Sequence, residues 1–570
     1  MKKSNKPGIV HLMIKFLKPI NYKLLVLSSI LIGNCLLTVN SQEYQHLIIY
    51  GQSLSTAHQS WPPLSTTNVA KNYMIGSQVW TNYGNTELTK LNPLIANVAA
   101  AAVTRVKTRA SLIYAENSLV GATNHIQLKT NGQYKFIASS CGYGGLSIEQ
   151  LSKEFYSPTY YKNFTNTISY ASSISSSIHC PAIVWMQGEY NYTTPAGCTG
   201  LTVGSVPTTD KNTYKALLVK LKNNMQNDIS VKYKQTDKPL FITYQTGGQY
   251  SRGKELTIGM AQLEASNENK DIICAGPIYP VTDRGGHLDS NGYRWYGEIL
   301  GKVYYRTKIL GEDFKPLQPM EISRTADTKT LNIKYYVPKL PLVLDELLIK
   351  KIKDYGFEVY DNNIKKTIQS VTIADNCILI TATTDLVGPL EVIYAGTNNY
   401  GDGNLRDSDD EPAYYNYIDL DKKNKDGTYV YERDATETTL RPSYEPKDAE
   451  GIIYDKPYPL YNFSVAFYYR LEKDSFSYKV PNIYNQQTSI NYLKNNSNLF
   501  YQSGSTLILE NPESKKFKIE VFDSVGHLVN IFEEDDGLNK IAYRLDSFSK
   551  GVYVAKLTIN HKIKSVKISN

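Results

Sequence analysis

"HLIIYGQSLSTAHQ", residues 46–59, runs four apolar or aromatic residues, Leu47 to Tyr50, into Gly51, Gln52, Ser53, Leu54 and Ser55. Such a run reads as an interior strand, and a glycine at its exit lets the chain turn sharply without a Cβ clash. Ser53 is then presented at the strand's C-terminal edge, where open α/β sheets hold their ligands and where a nucleophile is useful. A plain turn serine capping the next helix is the alternative.

Outward from this stretch, residues 42 to about 311 alternate strand-like and helix-like segments. Candidate strands are Leu47–Tyr50, Tyr134–Ser139, Ala182–Met186, Leu240–Tyr244 and Ile272–Cys274. Candidate helices between them are Ile95–Val106, Ser147–Phe155, Thr213–Met225 and Glu255–Glu264, with Leu217, Leu218, Leu221 and Met225 at helical intervals. This alternation predicts an α/β domain with a parallel sheet covered on both faces. After about Asp313 short runs such as "LNIKYYV", "CILITATT" and "LEVIYAG" alternate apolar and polar residues between turn signals, which predicts antiparallel β-sandwich structure. The organisation expected is a signal peptide (1–41), an α/β domain (42–312), a β-sandwich with a tyrosine-rich extension (313–471), a linker rich in Asn, Gln and Ser (472–502) and a C-terminal β-domain (503–570).

Of the formal net charge of +8, six units come from lysines in residues 1–41, which hold no acid. The remaining +2 is no footprint for nucleic acid. A basic start, the apolar stretch Leu24–Val39 and the small residues before Gln42 read as a secretory signal cleaved near Ser41, so no transmembrane segment is expected afterwards. Leu24–Val39 falls short of the ~18 apolar residues of a usual span. Five cysteines remain beyond it, an odd number with no CxxC spacing, so at most two disulfides form and buried free thiols are equally compatible. The 46 tyrosines are a large excess and suit sugar-facing surfaces.

A serine needs a base to take its proton. His46 and His179 abut strands and read as structural, His58 lies only five residues beyond Ser53, and His125 falls in a polar loop without a neighbouring acid. His287 stands apart, in "YPVTDRGGHLDSNGY" after the last strand, with Asp283 and Asp289 near enough in sequence to orient an imidazole and Gly285 and Gly286 to fold the loop. "DSNG" also reads as a helix cap. Acyl transfer further requires donors at the developing oxyanion. "SSCGYGGLS" offers backbone N–H groups at Gly142, Gly144 and Gly145, and "IVWMQGEYN" offers the Gln187 amide with Glu189 beside it, the alternative for both being to hold the neighbouring loop.

Taken in order, "GQSLS", "YGGLS", "WMQGEYN" and "GGHLDSNGY" resemble the SGNH (GDSL-like) hydrolase superfamily, and within it the branch of sialate O-acetylesterases and related carbohydrate acetylesterases. "MAQLEAS", residues 260–266, resembles the helix that precedes the last block in such enzymes. The resemblance spans roughly residues 44–310. It implies a flavodoxin-like three-layer fold, Ser53 as nucleophile, His287 as base and Asp283 as its orienting acid. The implied oxyanion hole comprises the N–H groups of Ser53 and of Gly144 or Gly145 together with Gln187, with Gln52 and Glu189 in support. The family's aspartate normally stands three residues before the histidine; here Arg284 holds that position and Asp283 is one residue further. No cofactor or metal is implied, and the substrate implied is an acylated, chiefly O-acetylated, glycan. A non-catalytic surface glycan-binding protein that keeps the fold is the competing expectation.

The last 65 or so residues, with Val521-Phe522-Asp523, Gly526, "SKGVYVAKL" and closing lysines 562, 564 and 567, resemble the C-terminal sorting domain of type IX-secreted proteins of Bacteroidetes. That implies the type IX machinery as a partner and a secreted or cell-surface destination reached through the periplasm.

Overall fold

Leu47 and Ile49 alternate with Ile48 and Tyr50 along the first strand, and the two pairs enter different apolar layers. A strand buried on both faces is what a doubly covered parallel sheet requires. In the computed structural model, which describes residues 43–97, 114–155, 159–192, 207–283, 286–420, 422–427, 454–483 and, with short gaps, 499–569, this strand is central. The α/β domain contains β1 (Tyr44–Gly51), β2 (Asn72–Ile75), β3 (Leu91–Pro93), β4 (Lys135–Ser140), β5 (Ile178–His179), β6 (Ala182–Met186), β7 (Leu240–Gln245) and β8 (Ile272–Pro277). They form one sheet in the order β3-β2-β4-β1-β6-β7-β8, with β5 also on β1. Every pairing is parallel except β2 with β3.

The helices are α1 (Ser118–Lys129), α2 (Ile148–Leu151), α3 (Thr159–Ile174), α4 (Lys211–Tyr233), α5 (Thr257–Glu268) and α6 (Ser290–Tyr304). On one face Phe164 and Ile168 of α3, Leu218, Leu221 and Met225 of α4 and Ile258 of α5 pack on Ile48 and Tyr50. On the other, α1 and α6 cross at glycines: a Cβ on Gly297 would sit 2.2 Å from Ser118 O, and one on Gly121 2.6 Å from Arg294 O. The crossing therefore requires the missing side chains. Helices α1 and α3, both rich in small and polar residues, were not legible as helices, and the expected helix Ile95–Val106 falls mostly outside the described residues. The signal segment and Cys198 lie outside them as well. Cys141, Cys180, Cys274 and Cys377 are unpaired thiols.

The second region holds a five-stranded antiparallel sheet built on Gln318–Arg324 and Thr330–Tyr336, and a four-stranded sheet built on Phe357–Asp361 and Leu390–Tyr394. Its last strand, Ser477–Lys479, pairs with Gln318–Arg324, and Val480 and Ile483 are buried, so the sandwich continues past the boundary expected at 471. This region is joined to the α/β domain by buried polar contacts. Gln245 exchanges two hydrogen bonds of 2.7 Å with the backbone of Ala466, and Glu298 of α6 accepts from the N–H groups of Tyr414 and Tyr415. Arg294 of α6, 4% exposed, donates to Tyr458 Oη and Asn416 O. The apolar layer under α1 and α6 runs without interruption into the sandwich. The C-terminal region forms a three-stranded and a four-stranded sheet around Leu507, Leu509, Ile519, Val521 and Leu557. Among the described residues no helix is long and apolar enough to cross a membrane, and no cluster of His, Cys, Asp or Glu could hold a metal ion.

Candidate active site

The end of β1 lies so close to the end of β6 that a Cβ on Gly51, at φ +147°, would stand 2.1 Å from Met186 O. Only glycine fits, and Gln52 N donates to the same carbonyl at 2.9 Å. The chain then coils tightly through residues 52–58, with Ser55 N on Gln52 O and His58 N on Ser53 O. This turn leaves Ser53, 8% exposed, at the C-terminal edge of the sheet. Ala57 and Gln59 both take left-handed backbone (φ 59° and 62°), a conformation that costs a non-glycine residue on the order of 1 kcal/mol or more. That backbone folds the end of the turn back over the site.

His287 Nε2 stands 2.8 Å from Ser53 Oγ. For the hydroxyl to donate, Nε2 must be unprotonated, so the proton of the neutral ring is on Nδ1. Nδ1 is 2.8 Å from Gln59 Oε1, which accepts it. Burial pushes the His287 pKa down from 6.5 to about 3, and the neighbouring His58 ring acts in the same direction. The imidazole is therefore neutral at ordinary pH, as a base must be. His58 stacks on His287 with centroids 5.4 Å apart and planes at 24°, and its Nδ1 contacts Thr56 Oγ1 at 2.8 Å and Ser53 O at 3.2 Å. Its pKa is lowered to about 4 by burial, against a smaller opposing effect of the Ser53 carbonyl.

The acid expected on His287 is not the group found on its Nδ1. Asp283 pairs through its backbone with Leu288 in an antiparallel bridge. Asp289 is the α6 cap, accepting from Gly292 N at 2.6 Å and Thr282 Oγ1 at 2.8 Å. Tyr250 Oη donates to Gly286 O at 2.8 Å and ties down the histidine loop.

Gln187 also departs from expectation. Its amide is fully buried, with Nε2 on Asn191 Oδ1 at 2.6 Å and Leu146 O at 3.3 Å, and Oε1 accepting from Tyr214 Oη at 2.8 Å. Both donor hydrogens are spent on bracing the loops under the site. Gln52 Oε1 accepts from Gly188 N and Tyr190 N, tying the turn that carries Ser53 to the β6 exit. Glu189 is buried there too, accepts from Tyr244 Oη, and has its pKa raised by burial. The loop 142–145 packs directly on the turn: Tyr143 N donates to Gly51 O, and a Cβ on Gly144 would meet His58 Cε1 at 2.5 Å. The N–H groups of Ser53, Gly144 and Gly145 are not among the donors that the described backbone uses internally. His125 lies not in a loop but within helix α1, and its Nδ1 is 3.1 Å from Glu298 of α6, so it does have a neighbouring acid. His46, hydrogen-bonded to Tyr233 and Ser139, and His179, beside Asp237, are structural as expected.

Gln59 and His58 were not read as part of the site. Both lie in the same 14-residue stretch as Ser53, and the one signal available was that proximity.

No protein-family model matches the chain, and no curated protein matches it. Among solved structures, a carbohydrate acetylesterase from Xanthomonas citri aligns at 14% identity over 63% of this chain and 77% of its own, with a TM-score of 0.42. A protein of Arabidopsis thaliana aligns at 11% over 46% of this chain and 98% of its own, with a TM-score of 0.33. NanS aligns at 15% over 40% and 74%, with a TM-score of 0.27.

Proposed function

We propose that this chain is a serine esterase of SGNH type that removes short acyl groups, chiefly O-acetyl, from carbohydrate. The observation that carries this reading is the 2.8 Å contact of Ser53 Oγ with His287 Nε2 at the C-terminal edge of a parallel sheet. His287 takes the Ser53 proton as Oγ attacks the ester carbonyl, and the positive charge formed on the ring is held by the Nδ1–H bond to Gln59. The tetrahedral oxyanion is received by the N–H groups of Ser53 and of Gly144 or Gly145. Imidazolium then protonates the sugar oxygen as its bond to the acyl carbon breaks, so the sugar leaves with a free hydroxyl and acyl-Ser53 remains. Water, deprotonated by the same nitrogen, attacks this ester; the proton passes to Ser53 Oγ as its bond to the acyl carbon breaks, and the carboxylic acid leaves and ionises in solvent.

The sugar ester as substrate is supported by the sequence blocks that resemble carbohydrate acetylesterases. A short acyl group is supported by the glycines of the 142–145 loop, which offer no long apolar wall for a fatty chain. Acetate release from p-nitrophenyl acetate by the full chain, set beside hydrolysis of the palmitate ester, tests the reading. Acetate is expected to leave much faster, and faster palmitate hydrolysis contradicts it. The reading also includes export through the periplasm to the cell surface under direction of residues 503–570. Deleting them should leave an active esterase trapped in the periplasm, and undiminished secretion of the truncated chain contradicts that part.

A further inference from the structure

Beside the Ser53–His287 pair, a line of aromatic rings leads away along one rim of the site. His287 stacks on His58, and His58 meets Tyr114 with centroids 4.7 Å apart and Tyr114 Oη 3.3 Å from its Nε2. Tyr114 is followed by Tyr83 at 5.8 Å, Tyr83 by Tyr143 at 5.5 Å, and Tyr143 by Tyr160 at 4.8 Å. All four tyrosines are half-buried, packed on the protein yet reached by solvent. Tyr143 directly precedes Gly144, so the line is continuous with the loop proposed to receive the oxyanion.

We infer that Tyr83, Tyr143 and Tyr160 form a subsite for the glycan chain beyond the acetylated sugar, so that the substrate is an oligo- or polysaccharide rather than a single sugar. The proposal rests on the esterase reading for the position of the scissile ester. The occupant follows from the chemistry of the strip. Its members carry ring faces on which the C–H faces of a pyranose can lie, and hydroxyl tips that can bond sugar hydroxyls. None is a flexible aliphatic of the kind that would line a fatty-acyl groove, and none carries the charge that would select an ionic headgroup.

Binding is measured on the full chain carrying Ser53→Ala, which prevents turnover. The probes are partially acetylated oligosaccharides of xylan, mannan, pectin and chitin in increasing length, the matching acetylated monosaccharides, and octanoate. At least one series is expected to bind more tightly with length, and adding Tyr83→Ala or Tyr160→Ala should weaken the long oligomer by roughly 3- to 10-fold each while changing monosaccharide affinity less than twofold. Tyr83→Phe and Tyr160→Phe keep the ring and should retain most of the binding. Should an alanine variant not fold, Tyr160→Trp reads the same contact through a shift of its emission when the long oligomer is added. Absence of length dependence in all four series, alanine variants that bind like their parent, or binding of octanoate alone overturns the proposal. Acetate release that survives Ser53→Ala would instead overturn the esterase reading and leave this binding result standing.

Discussion

Replacing Gln59 separates the two groups that compete to orient His287. In Gln59→Ala the Nδ1–H loses an acceptor at 2.8 Å in a buried position. An unsatisfied buried donor costs about 1–3 kcal/mol, and that cost grows when the ring becomes cationic in the transition state. At 1.36 kcal/mol per tenfold, kcat should fall by roughly 5- to 150-fold. This lies well below the ~10⁴ associated with forcing the wrong tautomer in a carboxylate triad. Gln59→Glu makes a second readout available. A carboxylate at the same distance favours the imidazolium, so the acid limb of kcat/KM should move to higher pH while activity at pH 8 is retained. Initial rates of p-nitrophenyl acetate hydrolysis from pH 4 to pH 8, for the parent, Gln59→Ala, Gln59→Glu and Asp283→Asn, give all four comparisons. Asp283→Asn is expected to stay within a few fold of the parent. A Gln59→Ala enzyme with normal rate and unchanged profile, beside an Asp283→Asn enzyme down by ~10⁴, would refute the assignment and return the role to Asp283.

Other expectations follow from the same contacts. Burial holds His46 and His287 near a pKa of 3 and His58 near 4, below the 6.5 of the unfolded chain. The unfolded chain thus binds more protons between these values, so stability is full above pH 6.5 and falls as pH drops, by at most about 1.4 kcal/mol per group per unit. The urea midpoint should therefore decrease between pH 7 and pH 5, and a constant or rising midpoint contradicts the burial argument. Gln187→Ala should lower the melting temperature through the loss of its three buried hydrogen bonds; a selective 10²- to 10³-fold fall in kcat at unchanged stability would restore it to the oxyanion hole. A fragment ending at residue 312 strips the partners of Gln245, Arg294 and Glu298 and exposes the apolar layer under α6, so it should be insoluble or inactive. Soluble, fully active 42–312 would show the sandwich to be dispensable.

Five of the sheet's eight strands were legible because they are apolar runs with a glycine or proline at or just past their end, which suits only the interior; the short β2, β3 and β5, of two to four residues, carry no such run. Ser53 and His287 were legible for a related reason, since each follows such a run and each belongs to a residue type that the chemistry requires. Gln59 was not, because its reach depends on left-handed backbone at Ala57 and at Gln59 itself, and a glutamine in a turn has no signature of its own. For Gln187 the sequence left two roles open, oxyanion donor and loop brace, and its hydrogen bonds are those of the brace. Whether the residue just past a strand faces the cleft or the layer beneath turns on a single position, and Tyr214 and Asn191, which capture its amide, are distant or featureless in sequence. The sequence pointed to Asp283 because it is the nearest preceding acid, whereas the group 2.8 Å from His287 Nδ1 is Gln59 Oε1, brought there from 228 residues away. The union of the sandwich with α6 was hidden as well, because it consists of side chains bonded to backbone groups 116 to 221 residues away, which no local pattern encodes.

The central claim is that Ser53, activated by His287, is the acyl acceptor. Treating the full chain with a fluorophosphonate and mapping the adduct by peptide mass spectrometry tests it most directly. A single adduct on Ser53 is expected, formed in step with the loss of acetate release and reduced by orders of magnitude in His287→Ala. Labelling at any other residue, or an unlabelled Ser53 in a chain that still releases acetate, would contradict it.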